Sequence, residues 1–144
     1  SEGDPIIKGQ RKQFAQELLF SDPPAQARKA TAVIINPVHF AVAIRYDEEA
    51  KDIPIVVAKG RNEQALAIRV AAEDAGVPVF RNVPLARTIF AETTLGDAVP
   101  SDVFEVVAVI LAWIARHKDE LYAGPLPHGV IDMERDPAFS DKAE

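Results

Sequence analysis

Cysteine is absent from this sequence of 144 residues, and histidine is scarce, so few reactive side chains are available. Without cysteine there can be no disulfide, no thiolate nucleophile and no sulfur-rich metal site. Two of the three histidines, His117 and His128, are far apart in sequence and have few potential ligands beside them. We therefore predict neither a bound metal ion nor a cofactor.

An excess of basic residues is also lacking. The chain has 16 Lys and Arg against 22 Asp and Glu, which gives a formal net charge of −6. Proteins that bind nucleic acid need clustered Lys and Arg to neutralise the phosphates. We therefore predict no nucleic-acid partner.

Long apolar runs are missing as well. The longest, Val106–Ile114, is about half of the roughly 18 to 20 residues that a helix needs to cross a bilayer. We expect residues 1–144 to be soluble. Because the sequence starts without methionine and without a signal-like segment, we also expect it to be part of a longer protein, whose missing part could be a membrane domain.

Strand and helix patterns alternate along residues 31–122 and predict one α/β domain. We expect a small mixed sheet of four or five strands, surrounded by about four helices. The predicted strands are Ala32–Ile35, Phe40–Tyr46, Ile55–Ala58 and Val77–Phe80. The predicted helices cover residues 6–20, 62–75 and 84–91, with a last one from Ser101. Residues 55–80 should form a parallel strand-helix-strand unit, in which Lys59-Gly60 turns the chain, Asn62 caps the helix and Gly76 ends it.

The two ends of the chain are predicted to lie outside this domain. Residues 1–30 should form a loosely docked N-terminal helix and a linker toward the absent membrane domain, with the helix ended by Ser21-Asp22-Pro23-Pro24. Residues 123–144 are rich in proline and charge and poor in periodic apolar residues, which predicts a disordered tail.

The tetrapeptide Asn36-Pro37-Val38-His39 separates two apolar strands and is the candidate reactive segment. Asn-Pro commonly opens a turn, which would need no chemistry at all. Asparagine has one special reaction, however, in which its side-chain amide attacks its own backbone carbonyl and cuts the chain after it. Proline at the next position favours this reaction, because the competing attack on the side chain needs a backbone N–H that proline lacks.

His39 is the only candidate base near Asn36 in the sequence. A histidine with an ordinary pKa of about 6.5 is mostly neutral at pH 7 and can accept a proton. The imidazole could alternatively hold the turn by hydrogen bonding, and the sequence leaves both roles open.

Several segments together resemble the FlhB and YscU family of export-gate proteins, whose cytoplasmic domains carry an Asn-Pro-Thr-His signature. The resemblance extends over about residues 2–120 and is carried by EGDP, VIINPVHFAVAIRYD, VVAKG and VPVFRNVPLARTIF, which begin at positions 2, 33, 56 and 77. It implies an inner-membrane protein whose cytoplasmic domain cuts itself at the Asn-Pro bond. Asn36 would be the nucleophile, Pro37 the new N-terminus and His39 the assisting group.

The resemblance also implies partners. They are other export apparatus proteins, exported substrates and a length-control protein, and the cut would accompany a switch from early to late substrates. Lys59 and Arg87 lie in the matching segments and are candidate partner contacts, although a solvated loop lysine and a helix arginine packed on the sheet explain them equally simply. Val38 stands where the family usually has threonine, and we expect it to modulate the cleavage loop without preventing the cut.

Two alternatives follow from the same residues. In one, the turn is only structural and the chain is an interaction module that is never cut, which a denaturing mass spectrum would reveal. In the other, the domain is a small nucleotide-binding enzyme, but the sequence has neither a Walker loop nor a GxGxxG motif. Absence of ATP or GTP binding at millimolar concentration would dismiss the second alternative.

Overall fold

Five strands form one mixed sheet in the computed structural model, which describes residues 13–140. In chain order the strands are β1 (Ala32–Asn36), β2 (Phe40–Arg45), β3 (Ile55–Arg61), β4 (Val79–Arg81) and β5 (Ile131–Asp132). Their order across the sheet is β3-β2-β1-β4-β5, so β1 is the middle strand. The predicted α/β class and mixed sheet are confirmed.

Within residues 13–140, five α-helices accompany the sheet. They are α1 (residues 13–19), α2 (Pro23–Arg28), α3 (Asn62–Asp74), α4 (Val83–Glu92) and α5 (Phe104–Arg116), with short 3-10 helices at Ser101–Val103, Lys118–Glu120 and Pro137–Phe139. Among the described residues no helix is long and apolar enough to cross a membrane. One helix more is present than predicted, because the two prolines read as a stop instead occupy the first turn of α2, where no backbone N–H is needed.

The helices pack on both faces of the sheet, so β1 is buried on both sides. Ala32 and Ile34 face a core built with α4 and α5, whereas Val33 and Ile35 face a second core built with α1, α2 and α3. Successive strand residues point to opposite faces, which explains why a continuous apolar run suits this position. The predicted buried strand is confirmed.

Strand directions agree with the predicted parallel unit. β1 runs antiparallel to β2 and parallel to β4, and β2 runs antiparallel to β3. β3 and β4 are therefore parallel, as expected for the two ends of a strand-helix-strand unit. They are not neighbours, since β2 and β1 lie between them.

Three local predictions were wrong. Lys59-Gly60 does not turn the chain but continues β3 to Arg61, and Gly60 is needed there because an added Cβ would lie 2.9 Å from Ile68 Cδ1 of α3. Asn62 is the first residue of α3, with a positive φ of 51°, and not its cap. Ser101 makes no capping hydrogen bond and begins a 3-10 turn, so that α5 starts at Phe104.

The flanking segments are more structured than predicted within the described residues. Leu18 of α1 is buried in the second core with Phe14 packed beside it, so this helix is not loosely docked. The rest of the predicted first helix, residues 6–12, lies outside the described residues. In the segment predicted to be a disordered tail, residues 131–132 add β5 to the sheet, because Arg81 and the edge of β4 provide partners that no local pattern indicates.

Candidate functional site

The tetrapeptide forms a tight turn between the middle strand β1 and β2. Asn36 and Phe40 are paired across the two strands, and the backbone N–H of His39 donates to the carbonyl oxygen of Asn36 at 3.0 Å. Pro37 occupies the second position of the turn, where its fixed φ is favourable. The turn therefore presents the Asn36-Pro37 bond at the end of a rigid, buried strand.

Val38 is in a strained backbone conformation at the third position of this turn. Its φ is +63°, a region that favours glycine and is exceptional for a β-branched residue. Its side chain is 79% exposed, so little packing compensates the strain. Such a conformation costs on the order of 1 to 3 kcal/mol and often occurs at functional sites.

Asn36 is a buried polar residue that lies close to the surface. The residue is 8% exposed, and within residues 13–140 no hydrogen bond is made to its side-chain amide. It lines a mostly apolar cavity of about 300 Å³ between the turn and α3, whose other walls include Pro37, Val38, Glu63, Leu66 and Arg69. The amide is thus not tied to another group that would hold it away from its own carbonyl.

The backbone around Asn36 is held on both sides. Asn62 N–H, at the start of α3, donates to the carbonyl oxygen of His39 at 3.1 Å. Asn82 N–H donates to the carbonyl oxygen of Ile35 at the same distance. These bonds fix the residue before Asn36 and the last residue of the turn, so the carbonyl between them has little freedom to move. Neither Asn62 nor Asn82 was predicted to support the site.

The imidazole of His39 is exposed and makes no hydrogen bond within the part of the chain that the structure describes. Its ring lies 6.5 Å from the ring of Phe40. The structure brings together Asn36, Pro37 and the backbone N–H of His39, but it does not place the imidazole on the Asn36 amide. A role for the imidazole as base stays a prediction.

An aromatic stack lies beside the turn and was not predicted. Phe40 stacks on Phe90 of α4 with ring centroids 4.6 Å apart, and the Arg61 guanidinium lies 5.1 Å from the Phe90 ring and 5.9 Å from that of Phe40. The pairing of Phe40 with Arg61 across β2 and β3 creates this contact. The stack anchors the strand that follows the turn to α4.

Lys59 is not a solvated loop lysine. Its ammonium donates to the carbonyl oxygens of Phe90 and Thr93 at 2.9 and 2.5 Å and lies 4.7 Å from the Phe90 ring. Burial lowers the pKa of Lys59, with the neighbouring Arg61 adding to this effect and Asp97 opposing it. The side chain thus binds the C-terminal end of α4, a position that suits a cation. A partner contact by Lys59 stays a prediction.

Arg87 is exposed on α4, and no hydrogen bond or ion pair to it occurs within residues 13–140. Its position leaves it accessible to a partner, which stays a prediction. In the same described range, no group of three His, Asp or Glu side chains could hold a metal ion.

Comparison with known proteins identifies the family. The model of the FlhB HrpN YscU SpaS family matches residues 1–114. The chain belongs to this family. The match includes β1 to β4 and the turn that carries Asn36 and Pro37.

Curated relatives include both secretion proteins and flagellar biosynthetic proteins. The chain is 47% identical over 117 residues to the hypersensitivity response secretion protein HrcU of Ralstonia nicotianae, which covers 81% of this chain and 32% of that protein. It is 42% identical over 122 residues to the flagellar biosynthetic protein FlhB of Bacillus subtilis, covering 85% of this chain and 34% of that protein. The chain thus spans about a third of the length of these curated relatives.

Solved structures share the fold. The crystal structure of the cytoplasmic domain of FlhB from Shewanella putrefaciens superimposes with a TM-score of 0.64 at 28% identity, over 85% of this chain and 96% of that one. A proline-to-alanine variant of the EscU C-terminal domain gives a TM-score of 0.61 at 28% identity, over 65% and 93% of the two chains.

Proposed function

We propose that this chain is the cytoplasmic switch domain of a type III secretion or flagellar export apparatus and that it cuts its own backbone between Asn36 and Pro37. The observation that carries the proposal is the turn itself, in which an asparagine precedes proline and its carbonyl oxygen already accepts a hydrogen bond from His39 N–H. Family membership supplies the export context.

The reaction begins when Nδ2 of Asn36 attacks the backbone carbonyl carbon of the same residue and loses a proton. The carbonyl oxygen then carries the negative charge of the tetrahedral intermediate. When the bond to Pro37 breaks, the proline nitrogen takes up a proton and becomes the new N-terminus. Asn36 is left as a five-membered cyclic imide, which water opens.

The backbone N–H of His39 is suited to stabilise this intermediate, since it donates at 3.0 Å to the oxygen on which the charge develops. Because this hydrogen bond is already present before the reaction, only its strengthening counts, which is less than the roughly 3 kcal/mol that loss of one such donor costs in enzymes. An acceleration of about ten-thousand-fold needs roughly 5.5 kcal/mol. Orientation of the amide and a proton acceptor, for which the His39 imidazole is the candidate, would supply the remainder.

Strain at Val38 supports the same reaction. A cut before Pro37 releases the covalent restraint that keeps Val38 at a φ of +63°. The product can relax, so part of the cost of the turn is recovered after the bond breaks. Threonine, which the family usually has here, is β-branched too and would carry similar strain.

After the cut the two fragments should remain one domain. The N-terminal fragment contributes β1, which pairs with β2 on one side and β4 on the other, both from the C-terminal fragment. Val33, Ile34 and Ile35 of this strand are at most 3% exposed. Burial of one such side chain stabilises by about 1.5 to 3 kcal/mol, so separation requires unfolding.

In the export apparatus, the cut would accompany the switch from early to late substrates. We propose as partners other apparatus proteins, exported substrates, a length-control protein and the N-terminal membrane domain of the same protein, which would hold this domain at the cytoplasmic face of the inner membrane. Solved EscU domains carry substitutions of an asparagine or of the proline at the next position, the same residue types as Asn36 and Pro37.

Mass spectrometry of the denatured chain tests the proposal. We expect fragments of 36 and 108 residues, with the smaller one initially lighter by one water molecule because of the imide, and a single species on native chromatography. Asn36→Ala should stay intact. Asn36→Gln is the matched control, since it keeps an amide but cannot close a five-membered ring.

Two results would contradict the proposal. Cleavage of Asn36→Ala into the same two fragments would exclude side-chain cyclisation. An unsubstituted chain that stays intact for days would instead favour the interaction module, in which the turn is only structural.

A further inference from the structure

Within residues 13–140, a short C-terminal segment covers the outer edge of β4. We name residues 129–139 the strap; they contain the two-residue strand β5 and a 3-10 turn. The strap lies beyond residues 1–114, to which the family model matches. It therefore lies outside the matched part of the chain, and its function has to be sought separately.

Backbone pairing places the strap parallel to β4. Ile131 and Asp132 are the partners of Phe80 and Arg81, and Met133 N–H donates to the carbonyl oxygen of Arg81 at 3.1 Å. A strand at the edge of a sheet has one row of hydrogen-bonding groups that another strand can use. Here the strap uses that row.

The positive charge of Arg81 favours acidic residues in a segment that pairs with this edge. The Arg81 guanidinium lies 3.4 Å from a carboxylate oxygen of Asp132 and 3.1 Å from one of Glu134. Because the two acids are separated by one residue, the strap presents the sequence apolar, acidic, apolar, acidic to β4 and Arg81. An extended segment with this alternation fits the edge by backbone pairing and by charge together.

Further contacts also hold the strap, since Val130 packs on the second core and Asn82 Nδ2 donates to Met133 Sδ at 3.7 Å. Ile131 and Met133 pack on the core without being fully buried, and Phe139 meets Phe80 edge to face with centroids 6.3 Å apart. A cleft of about 750 Å³ is lined by the strap and by the C-terminal end of α5, including Trp113 and His117. The strap thus covers the edge, and an open cleft lies between the strap and α5.

We propose that the β4 edge is a docking site for an extended peptide segment of a partner protein, and that the strap occupies this site within the same chain. The partner segment pairs in parallel with β4 and carries acidic residues at alternate positions that face Arg81. This is strand addition, in which main-chain hydrogen bonds provide affinity and side chains provide specificity.

A partner peptide has to compete with the strap, which is covalently connected to the domain. A strap tethered to the domain acts at an effective concentration of the order of millimolar, so a free peptide binds the intact chain weakly. Release of the strap should therefore strengthen peptide binding without any change in the edge itself.

The experiment uses a labelled peptide with the sequence of residues 129–136, GVIDMERD, and the full chain. Asp132→Lys combined with Glu134→Lys should release the strap, and we expect this variant to bind the peptide at least about tenfold more tightly than the unsubstituted chain. The matched control is Glu49→Lys with Asp74→Lys, which makes the same charge change at exposed positions elsewhere and should leave affinity unchanged.

Arg81→Glu tests specificity. This variant should lose binding of the acidic peptide and gain binding of a peptide that has lysine at both acidic positions.

In the unsubstituted chain, saturating peptide should shift the NMR amide signals of residues 80–82 and 131–134, a measurement that needs no variant to fold. Equal peptide affinity in all chains, or signal shifts confined to other residues, would overturn the proposal. So would dimerisation of the released variant without peptide binding, since the occupant would then be a second copy.

Discussion

At the scale of single residues, the turn joins two features that lie beside the bond proposed to be cut. Asn36 provides an amide that is not hydrogen-bonded within the described residues, and Val38 keeps the turn strained at a φ of +63°. A strained turn favours the cut form over the intact one, whereas a relaxed turn would not. The identity of the third turn residue should therefore affect both stability and cleavage rate.

Val38→Gly removes the β-branched side chain from this conformation. In an Asn36→Ala background, which cannot be cut, we expect it to raise the free energy of unfolding by about 1 kcal/mol. In the chain with Asn36, we expect cleavage to slow by up to about tenfold, because less strain is released. Urea denaturation and time courses of intact mass measure the two effects.

Val38→Thr is the control for this substitution, because threonine keeps the β-branched shape. The site of cleavage should be unchanged, and the rate should change only modestly. If the valine chain stays uncut for days while the threonine chain cuts within minutes, the expectation that valine is tolerated is wrong.

The imidazole of His39 can be distinguished from its backbone by the pH dependence of cleavage. If the neutral imidazole accepts the proton of the Asn36 amide, the rate should rise with pH and then level off. His39→Ala should remove this rise while keeping the backbone N–H that faces the Asn36 oxygen. A rate that climbs steadily toward pH 10 in both chains would point to hydroxide and leave the imidazole a positioning role.

At the scale of elements, α4 is fastened to the sheet at both ends, close to the turn. The side chain of Asn82 accepts from Leu85 N–H at its N-terminus, and its backbone N–H reaches Ile35 of β1. Lys59 of β3 binds the carbonyl oxygens of Phe90 and Thr93 at its C-terminus. The two ends of α4 are therefore bound to β1 and to β3.

Lys59→Met keeps most of the side-chain stem but removes the ammonium. Loss of hydrogen bonds to two carbonyl oxygens, discounted for partial exposure, should lower the free energy of unfolding by about 1 to 2 kcal/mol in the Asn36→Ala background. Lys29→Met is the control, since Lys29 is exposed and its ammonium makes no contact within residues 13–140. Equal urea midpoints for the two variants would show that Lys59 does not stabilise α4.

At the scale of the whole molecule, contacts across the proposed cut hold the N-terminal fragment in place. β1 is the middle strand of the sheet, and Leu18 and Ala27 lie in a core shared with α3. The hydroxyl of Tyr122 also donates to the carbonyl oxygen of Thr31 at 2.7 Å, which joins the end of the domain to the residue before β1.

Tyr122→Phe removes this hydrogen bond and should weaken the cut domain by about 0.5 to 1 kcal/mol. Burial, with the charge of Glu48, raises the pKa of Tyr122 from 10.0 to about 12. The folded state thus holds the phenol proton of Tyr122 more tightly than the unfolded state does. The stabilisation that this difference gives below pH 10 is lost as pH rises from about 10 to 12. Urea midpoints should fall more steeply over this range in the unsubstituted chain than in Tyr122→Phe. Tyr46→Phe, as the control, should retain the steep fall.

Local patterns in the sequence determined the α/β class, the four main strands and the turn at Asn36-Pro37. Strand and turn preferences act over a few residues, so alternation, β-branched runs and Asn-Pro suffice to locate them. The start of α2 was not predicted, because Pro23 and Pro24 can begin a helix as readily as they end one. The candidate pair Asn36-Pro37 and each of the segments that carry the family resemblance likewise consist of residues close together in the chain.

Only the tertiary structure decided which groups surround the turn. Lys59 reaches Phe90, 31 residues away, and Arg81 reaches Asp132, 51 residues away. The sequence around Lys59 suggested a loop and that around Asp132 a disordered tail, because Phe90 and Arg81, which these side chains contact, lie far away in the sequence. The central place of β1, the exposed imidazole of His39 and the strap on β4 likewise arise from contacts that form only when distant parts of the chain fold together.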